Sequence, residues 1–474
     1  MTFPGNPFIN GQARAPREDR RIQLIDPANG EPFTEAGAAG PGEIEDAVAG
    51  AGRAFESGWR DLAPGKRAEI LFAVAAKLRA HAGEIAALDM RNVGKPISDA
   101  QDEAALGARV FEYYAGAISK FFGETIPVAR GGLNFTLRQP MGVVAAIVPW
   151  NFPFPIACWK VAPALAAGNC VVLKPASLSP LSALRLGELA HEAGLPAGVL
   201  QVVPGAGAAI GDALVEHPLV RKVSFTGSTE IGSRIMGLAA RGLKRVSLEL
   251  GGKSPNIIFA DADIDKAAAA SPMSVFANAG QDCCARSRVF VERPVFDRFV
   301  EKFLAATRAL KVGAPADPAT QIGPMVSRQQ RDGVEGFLAT ASEREILGGE
   351  RIDGPGFFLR PAVVLGCAPS DPVWREEIFG PVVCIRPFDD EAAMLREVND
   401  SPYGLSGSIW TNDLKRALRV VRRVDSGVLS VNSHSSVHVE APFGGFKQSG
   451  IGRDLGMNAL EGYTEIKNAY ISED

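Results

Sequence analysis

At roughly 150 residues per domain, 474 residues make three domains or two large ones. An apolar fraction of 46% and a charged fraction of 22% are ordinary for a globular chain with a large core, and exclude disordered or collagen-like sequence. With 50 Lys and Arg against 54 Asp and Glu, the net charge of −4 argues against nucleic acid as a partner, because phosphate backbones select clustered positive charge.

In chain order, the first clear pattern is helical. From about residue 43, EIEDAVAGAGRAFESGW and KRAEILFAVAAKLRAHAGEIAALDMRNVGKP carry apolar residues at three- and four-residue spacing, and Asp99 to Phe122 continues it. The polar, Gly-rich GETIPVARGGLNFTLRQP alternates as a hairpin does. From residue 141 the pattern changes to short apolar strands: VVAAIVPW, CVVLKP, VLQVVPG, VRKVSFTGS and RVSLEL, separated by helices such as SALRLGELAHEAG and STEIGSRIMGLAARG. A second alternating block follows from near Ser254, with NIIF, SRVFVERP, FLRPAVVLG, PVVCIRPF and VLSVNS as strands, and the chain ends with strand character in GYTEIKNAYISE. Strands alternating with helices indicate mostly parallel sheets covered on both faces, in two α/β blocks with a cleft between them. The uncharged run Met141 to Trp159 is long enough for a membrane span, but Pro149, Pro153, Pro155 and Asn151 make it a buried strand entering a turn, so no membrane partner is expected.

The six Cys form no CxxC and no zinc-spaced cluster, so neither a disulfide framework nor a metal site is expected. The N-terminal residues have no apolar signal-peptide core, which makes a cytoplasmic protein the expectation. The glycosylation match at Asn134 then reads as chance.

Several segments carry candidate chemistry. Gly205-Ala206-Gly207-Ala208-Ala209-Ile210-Gly211 follows a strand and opens a helix, as a dinucleotide-binding turn does, although tight βα packing gives the same spacing. Phe225-Thr226-Gly227-Ser228-Thr229 also joins a strand to a helix, suiting either a pyrophosphate or simple N-capping. Gly280-Gln281-Asp282-Cys283-Cys284 places two Cys in a polar turn, where a thiolate would be a nucleophile. Leu248-Glu249-Leu250 puts a carboxylate at the end of a buried strand, where a raised pKa would suit a general base and a structural ion pair is the other reading. Pro149-Trp150-Asn151-Phe152-Pro153 places an amide donor past a strand, to hold an oxyanion or to serve the turn.

Taken together, PWNFP, VVLKPA, FTGSTEIG, LELGGKSPNIIF, NAGQDCC, EEIFGPV and PFGGFKQSGIGRD, in this order, closely resemble the NAD(P)-dependent aldehyde dehydrogenase superfamily from about residue 20 to residue 470. The resemblance implies two Rossmann-like α/β domains, one for the cofactor (1–121 and 141–251) and one for catalysis (252–446). A small β element for oligomerisation (122–140 and 455–474) would make the protein a homodimer or homotetramer. It implies Cys283 as nucleophile, Glu249 as the base that activates water on a thioester, Asn151 with the Cys283 N–H as the oxyanion hole, and Lys160 as a proton relay. The partner of Lys160 falls at Asp454, where many members have Glu. The implied cofactor is NAD or NADP, without a metal. It would be held by Trp150, Lys174, Ser177, Gly207, Gly227, Ser228, Leu250, Glu377 and Phe379.

Strongly NAD-preferring members often carry Glu where this chain has Ser177, so the resemblance implies that NADP is tolerated or preferred. Tyr113, Phe152, Trp159, Asp282, Phe443 and the loop Ser433 to Val437, including Ser435, match positions lining the aldehyde tunnel. Asp282 beside the nucleophile is expected to pair with an amine or quaternary ammonium group, the other reading being an Asp turned to its own backbone. Amino or betaine-type aldehydes, semialdehydes, and aliphatic or aromatic aldehydes are the substrate classes considered. A CoA-acylating relative typically lacks the Glu present here at 249, and an idle scaffold on the same fold would have lost Cys283, Glu249 or Asn151.

Overall fold

Apolar runs with no polar face can only be buried on both sides, and the computed structural model, which describes residues 5–435 and 437–473, places them at the centre of two sheets. The first sheet runs, in spatial order, Gly450–Ile451, Arg245–Glu249, Val220–Thr226, Val143–Ile147, Cys170–Lys174, Leu200–Val202, Phe8–Ile9 and Gln12–Ala13. Its five middle strands are parallel, and short antiparallel strands finish both edges. The second sheet runs Glu345–Gly348, Ala362–Leu365, Val382–Phe388, Arg288–Glu292, Pro255–Ile258, Ser406–Trp410 and Val428–Val431, parallel except at its first pair. The fold is therefore mixed α/β with two Rossmann-like parallel sheets.

Two features differ from the sequence reading. The stretch 122–140 is not mainly a hairpin. Leu133–Pro140 pairs along its whole length with Thr464–Ile471, and the expected hairpin is confined to a short pairing of residues 124–126 with 134–136, where the Ile126 amide donates to the Asn134 carbonyl and the Thr136 amide to the Glu124 carbonyl (both 2.9 Å). The N-terminal helical stretch is broken into Pro64–Ala80 and Ala82–Val93 at His81, ahead of the long helix Ile97–Ala117. Among the described residues no helix is long and apolar enough to cross a membrane. The run from Met141 instead becomes the strand Val143–Ile147, a turn and the buried helix Pro153–Ala166.

One side chain ties the first sheet to the C-terminal segment. Buried Asn169 accepts from the Met141 and Gly142 amides (2.7 and 3.0 Å) and donates to the Ala164 and Tyr463 carbonyls (3.1 and 2.9 Å). An alanine there strands backbone groups that are costly to leave unpaired. Asn169→Ala is expected to lower unfolding stability by about 3 kcal/mol, read as an earlier urea midpoint; an unchanged midpoint contradicts this role.

Candidate active site

The site forms where the carboxyl ends of the first sheet's strands face the loop that precedes Arg288–Glu292, the usual place for a ligand crevice in such sheets. That loop is held in an unusual shape. Asn278, Ala279 and Gly280 have φ of +52°, +56° and +71° in succession, a left-handed run that non-glycine residues seldom adopt. Side chains enforce it: Asn278 Nδ2 donates to the Asn151 and Gln281 carbonyls (3.0 and 3.2 Å), Gln281 Nε2 donates to the Asn278 carbonyl (2.9 Å), and Asn151 Nδ2 donates to the Gln281 carbonyl (3.0 Å). At Gly280 a Cβ would sit 2.1 Å from the Gly380 carbonyl oxygen, so glycine lets this loop close on the segment carrying Glu377 and Phe379.

Half-buried Cys283 follows this turn and lines a cavity of ≈ 250 Å³ together with Glu249. The Cys284 thiol, burial, and the Asp282 and Glu377 carboxylates push the Cys283 thiol well above its ordinary pKa. Cys283 therefore rests as a thiol. Glu249 is buried at the end of its strand with neither carboxyl oxygen hydrogen-bonded. Burial first, and Asp454 second, raise its pKa well above the carboxylate range, against opposing pulls from Lys160 and Arg453. Asp454 accepts from Lys160 Nζ (2.9 Å) through Oδ2, while its Oδ1 is unpartnered and Asp454 itself lines the cavity.

Phe152, Trp159, Phe443 and Asp282 line the cavity as expected, with Phe443 edge-on to Trp159 at 5.3 Å. Leu250, expected on the cofactor, lines it too. Tyr113 and Ser435 are not among its lining residues. Tyr113 packs on Tyr114, and exposed Ser435 bonds within its own loop; Val437 does line the cavity, and Ser436 lies outside the described residues. Asp282 Oδ1 accepts from the Cys284 amide (2.8 Å), which is the backbone-directed reading of that residue. The sequence reading missed Lys95 and Glu103. Glu103 lines the cavity and pairs with buried Lys95, which also donates to the Asn151 carbonyl (2.9 Å) and lies over the Phe152 ring at 3.9 Å. The only sequence signal was a charged residue at apolar spacing on a helix.

Of the residues expected at the cofactor, Glu377 acts on the Cys283 thiol through its charge. Trp150 stands edge-on to Phe379 at 5.3 Å. Glu377 Oε1 accepts from the Gly252 amide (2.9 Å), and burial raises its pKa to about 7. Lys174 is buried, bonds only to its neighbouring Pro175 carbonyl (3.2 Å), and is brought down to about 8 by burial. Ser228 caps the helix Thr229–Arg241 by accepting from the Ile231 amide (3.4 Å). Ser177 Oγ donates to the Gly205 carbonyl (3.0 Å), so its hydroxyl is engaged with the chain rather than open to a phosphate. Gly207 opens a helix in open space and no contact requires a glycine there. A helix N-terminus, an under-partnered ammonium and a carboxylate suit a pyrophosphate and two riboses, so the donor set fits a dinucleotide.

The raised Glu377 pKa has a consequence for stability. The folded state holds its proton up to about pH 7, whereas an unfolded carboxyl releases it near 4.5. The folded protein thus binds more protons across that window, and this group makes stability fall as pH rises through it. Glu377→Gln keeps an acceptor for Gly252 and is expected to flatten that fall, visible as a higher melting temperature than the parent's at pH 8. An identical pH profile of melting contradicts the assignment.

The comparisons with known proteins agree with this geometry. The model of the aldehyde dehydrogenase family matches residues 14–469. The chain is 41% identical to the NADP/NAD-dependent aldehyde dehydrogenase PuuC of Escherichia coli (strain K12), over 98% of this chain and 95% of that protein. It is also 41% identical to the phenylacetaldehyde dehydrogenase of Pseudomonas fluorescens, over 100% and 97%. The indole-3-acetaldehyde dehydrogenase AldA of P. syringae, solved with NAD+ and IAA, superposes with a TM-score of 0.98 at 40% identity, covering 99% of this chain and 97% of that one. A family match over nearly the whole chain, on a fold that brings a cysteine and an unpartnered carboxyl to one cavity, makes this protein an enzyme of the aldehyde dehydrogenase family.

Proposed function

We propose that the enzyme oxidises an aldehyde to its carboxylic acid with NAD(P)+, carrying the acyl group on Cys283 and releasing it with water that Glu249 deprotonates. The observation that carries this reading is the Glu249 carboxyl, unpartnered at both oxygens and lining the same cavity as the Cys283 thiol. Cys283 Sγ adds to the carbonyl carbon while its proton passes to cavity water. The second N–H of the Asn151 amide and the Cys283 backbone N–H hold the oxyanion that forms. Bound NAD(P)+ supplies the hydride acceptor. Lys174, Glu377, Phe379, Trp150 and the Gly227–Ser228 turn hold it. The Cys283 thioester is then attacked by water whose proton Glu249 takes, the carbon–sulfur bond breaks, and the departing thiolate regains a proton from cavity water. Lys160 and Asp454 carry the proton away from Glu249.

Apolar walls of Leu106, Phe152, Ile156, Trp159 and Phe443 favour a neutral aromatic or long aliphatic aldehyde. The relatives named for phenylacetaldehyde and indole-3-acetaldehyde support that class. A cationic aminoaldehyde is the second reading, favoured by the Asp282 and Glu103 carboxyls in the cavity wall. The absence of a carboxylate at Ser177 allows a 2′-phosphate, and PuuC is named for both cofactors. A homodimer or homotetramer is supported by the exposed apolar residues Leu133, Leu137, Ile466 and Ile471 on the two-stranded ribbon; a monomer by light scattering contradicts it. Six free cysteines fit a reducing, cytoplasmic setting.

Glu249→Gln is expected to keep the first-turnover burst of NAD(P)H while steady-state turnover falls at least about 100-fold; Cys283→Ala should abolish both. Loss of the burst in Glu249→Gln contradicts the two-step assignment. Ser177→Glu is expected to lower kcat/KM with NADP+ about tenfold or more relative to NAD+, about 1.4 kcal/mol, and an unchanged ratio contradicts the cofactor reading. Asp282→Asn separates the substrate readings in kcat/KM for 4-aminobutanal against hexanal: a selective loss for the amine supports the cationic class, and parallel values support the neutral one.

A further inference from the structure

Central strands of a doubly covered parallel sheet are normally apolar throughout, yet two neighbours here alternate polar and apolar residues. Val220–Thr226 carries Lys222, Ser224 and Thr226, and Arg245–Glu249 carries Arg245, Ser247 and Glu249. The strands are parallel and in register, with Lys222 opposite Arg245, Ser224 opposite Ser247 and Thr226 opposite Glu249. Because side chains alternate between faces with period two, all six lie on one face of the sheet. They form a polar ladder from the substrate cavity, which Thr226 and Glu249 line, to a second cleft of ≈ 580 Å³ lined by Lys222, Arg245 and Ser247.

The middle of the ladder is hydrogen-bonded and buried. Lys160 Nζ donates to Asp454 Oδ2 (2.9 Å) and to Ser224 Oγ (3.1 Å), and at rest the Ser247 hydroxyl also donates to Ser224 Oγ (3.1 Å), so transfer outward turns both hydroxyls round. Lys160 and Ser224 are fully buried, Asp454 nearly so, and Ser247 reaches the cleft. Buried Lys222, over the Tyr463 ring at 4.9 Å, stands at the outer end.

We propose that Ser224 and Ser247 carry the proton of each turnover from Lys160 through the sheet to water and Lys222 in the outer cleft. The proposal rests on Glu249 being the base, as proposed above. Glu249 ends a turnover holding the proton taken from water and passes it across the cavity to Asp454 Oδ1. Lys160 gives a proton to Ser224 Oγ as Ser224 gives its own to Ser247, and Ser247 gives its own to the cleft. Lys160 regains a proton from Asp454. No heavy-atom bond changes and no electron moves. Hydroxyls rotate and both donate and accept, as each transfer requires. Lys222, brought down to about 8 by burial, gives the outer end a group that exchanges protons near neutral pH.

The test is rapid-mixing and steady-state kinetics of Ser224→Ala, Ser247→Ala and Ser224→Thr, with benzaldehyde or hexanal and NAD+. Both alanine variants are expected to keep the first-turnover NADH burst while kcat falls about tenfold, with recovery in Ser224→Thr and on adding imidazole as a mobile proton carrier. Ser247 does not touch Lys160, so its effect separates conduction from mere positioning of Lys160. Unchanged kcat in both alanine variants, or burst and kcat falling together, overturns the proposal. Glu249→Gln is run alongside. If it shows no burst with slowed turnover, the hydrolysis reading has failed; if it does and the serine variants behave as the parent, only the proton path has.

Discussion

A carboxyl buried without a hydrogen-bond partner is the constraint around which the site is built. Moving an ionised carboxylate out of water costs several kcal/mol even after relaxation, and burial accordingly raises the Glu249 pKa well above the carboxylate range. The opposing positive charge comes from Lys160, already paired with Asp454, and from Arg453. Keeping Glu249 in place requires the C-terminal segment. Gly450–Ile451 pairs with Leu248 and Glu249, and Phe443 and Asp454 exchange backbone hydrogen bonds of 2.7 and 2.8 Å. At Gly444 any Cβ would come within 2.6 Å of Glu249 Oε1. The end of the chain therefore closes the cavity that its middle opens.

The nucleophile is governed by the same economy of charge. Around Cys283 stand a second thiol and two carboxylates, and no cation is among the causes that set its pKa. That environment holds the thiol in its protonated form. Gly280, packed against Gly380, brings the Cys283 loop against the segment carrying Glu377 and Phe379.

Much of this was legible in the residues. Doubly buried parallel strands announce themselves as apolar runs, and Val143–Ile147, Cys170–Lys174 and Leu200–Val202 were visible that way, while Val220–Thr226 and Arg245–Glu249 stood out as short strands between helices. Ser406–Trp410, central in the second sheet, was not. Its Ser408 bonds Ser430, Arg286 and His434, and that internal polar column breaks the apolar signal. The ribbon of Arg21–Asp26 with Glu31–Gly37 is half exposed and too short for a clear alternation. The motif residues Glu249, Cys283 and Asn151 were found through resemblance, but the sequence could not show what partners them. That Asp282 bonds the Cys284 amide, that Ser177 is tied to Gly205, and that Glu103 faces the cavity beside Lys95 all depend on contacts between distant segments. The in-register ladder of Lys222, Ser224 and Thr226 with Arg245, Ser247 and Glu249 was present in two adjacent motifs, yet only pairing of the strands turns two alternations into one path.

Covalent attachment to Cys283 and release by Glu249 are the centre of the proposed function. The most direct measurement is mass spectrometry of Glu249→Gln quenched after mixing with benzaldehyde and NAD+, with peptide mapping of residues 278–288. The account predicts one benzoyl group per chain, on Cys283 and not on Cys284, absent without NAD+. NADH formed with no acyl group on the protein, or an acyl group on Cys284, would contradict it.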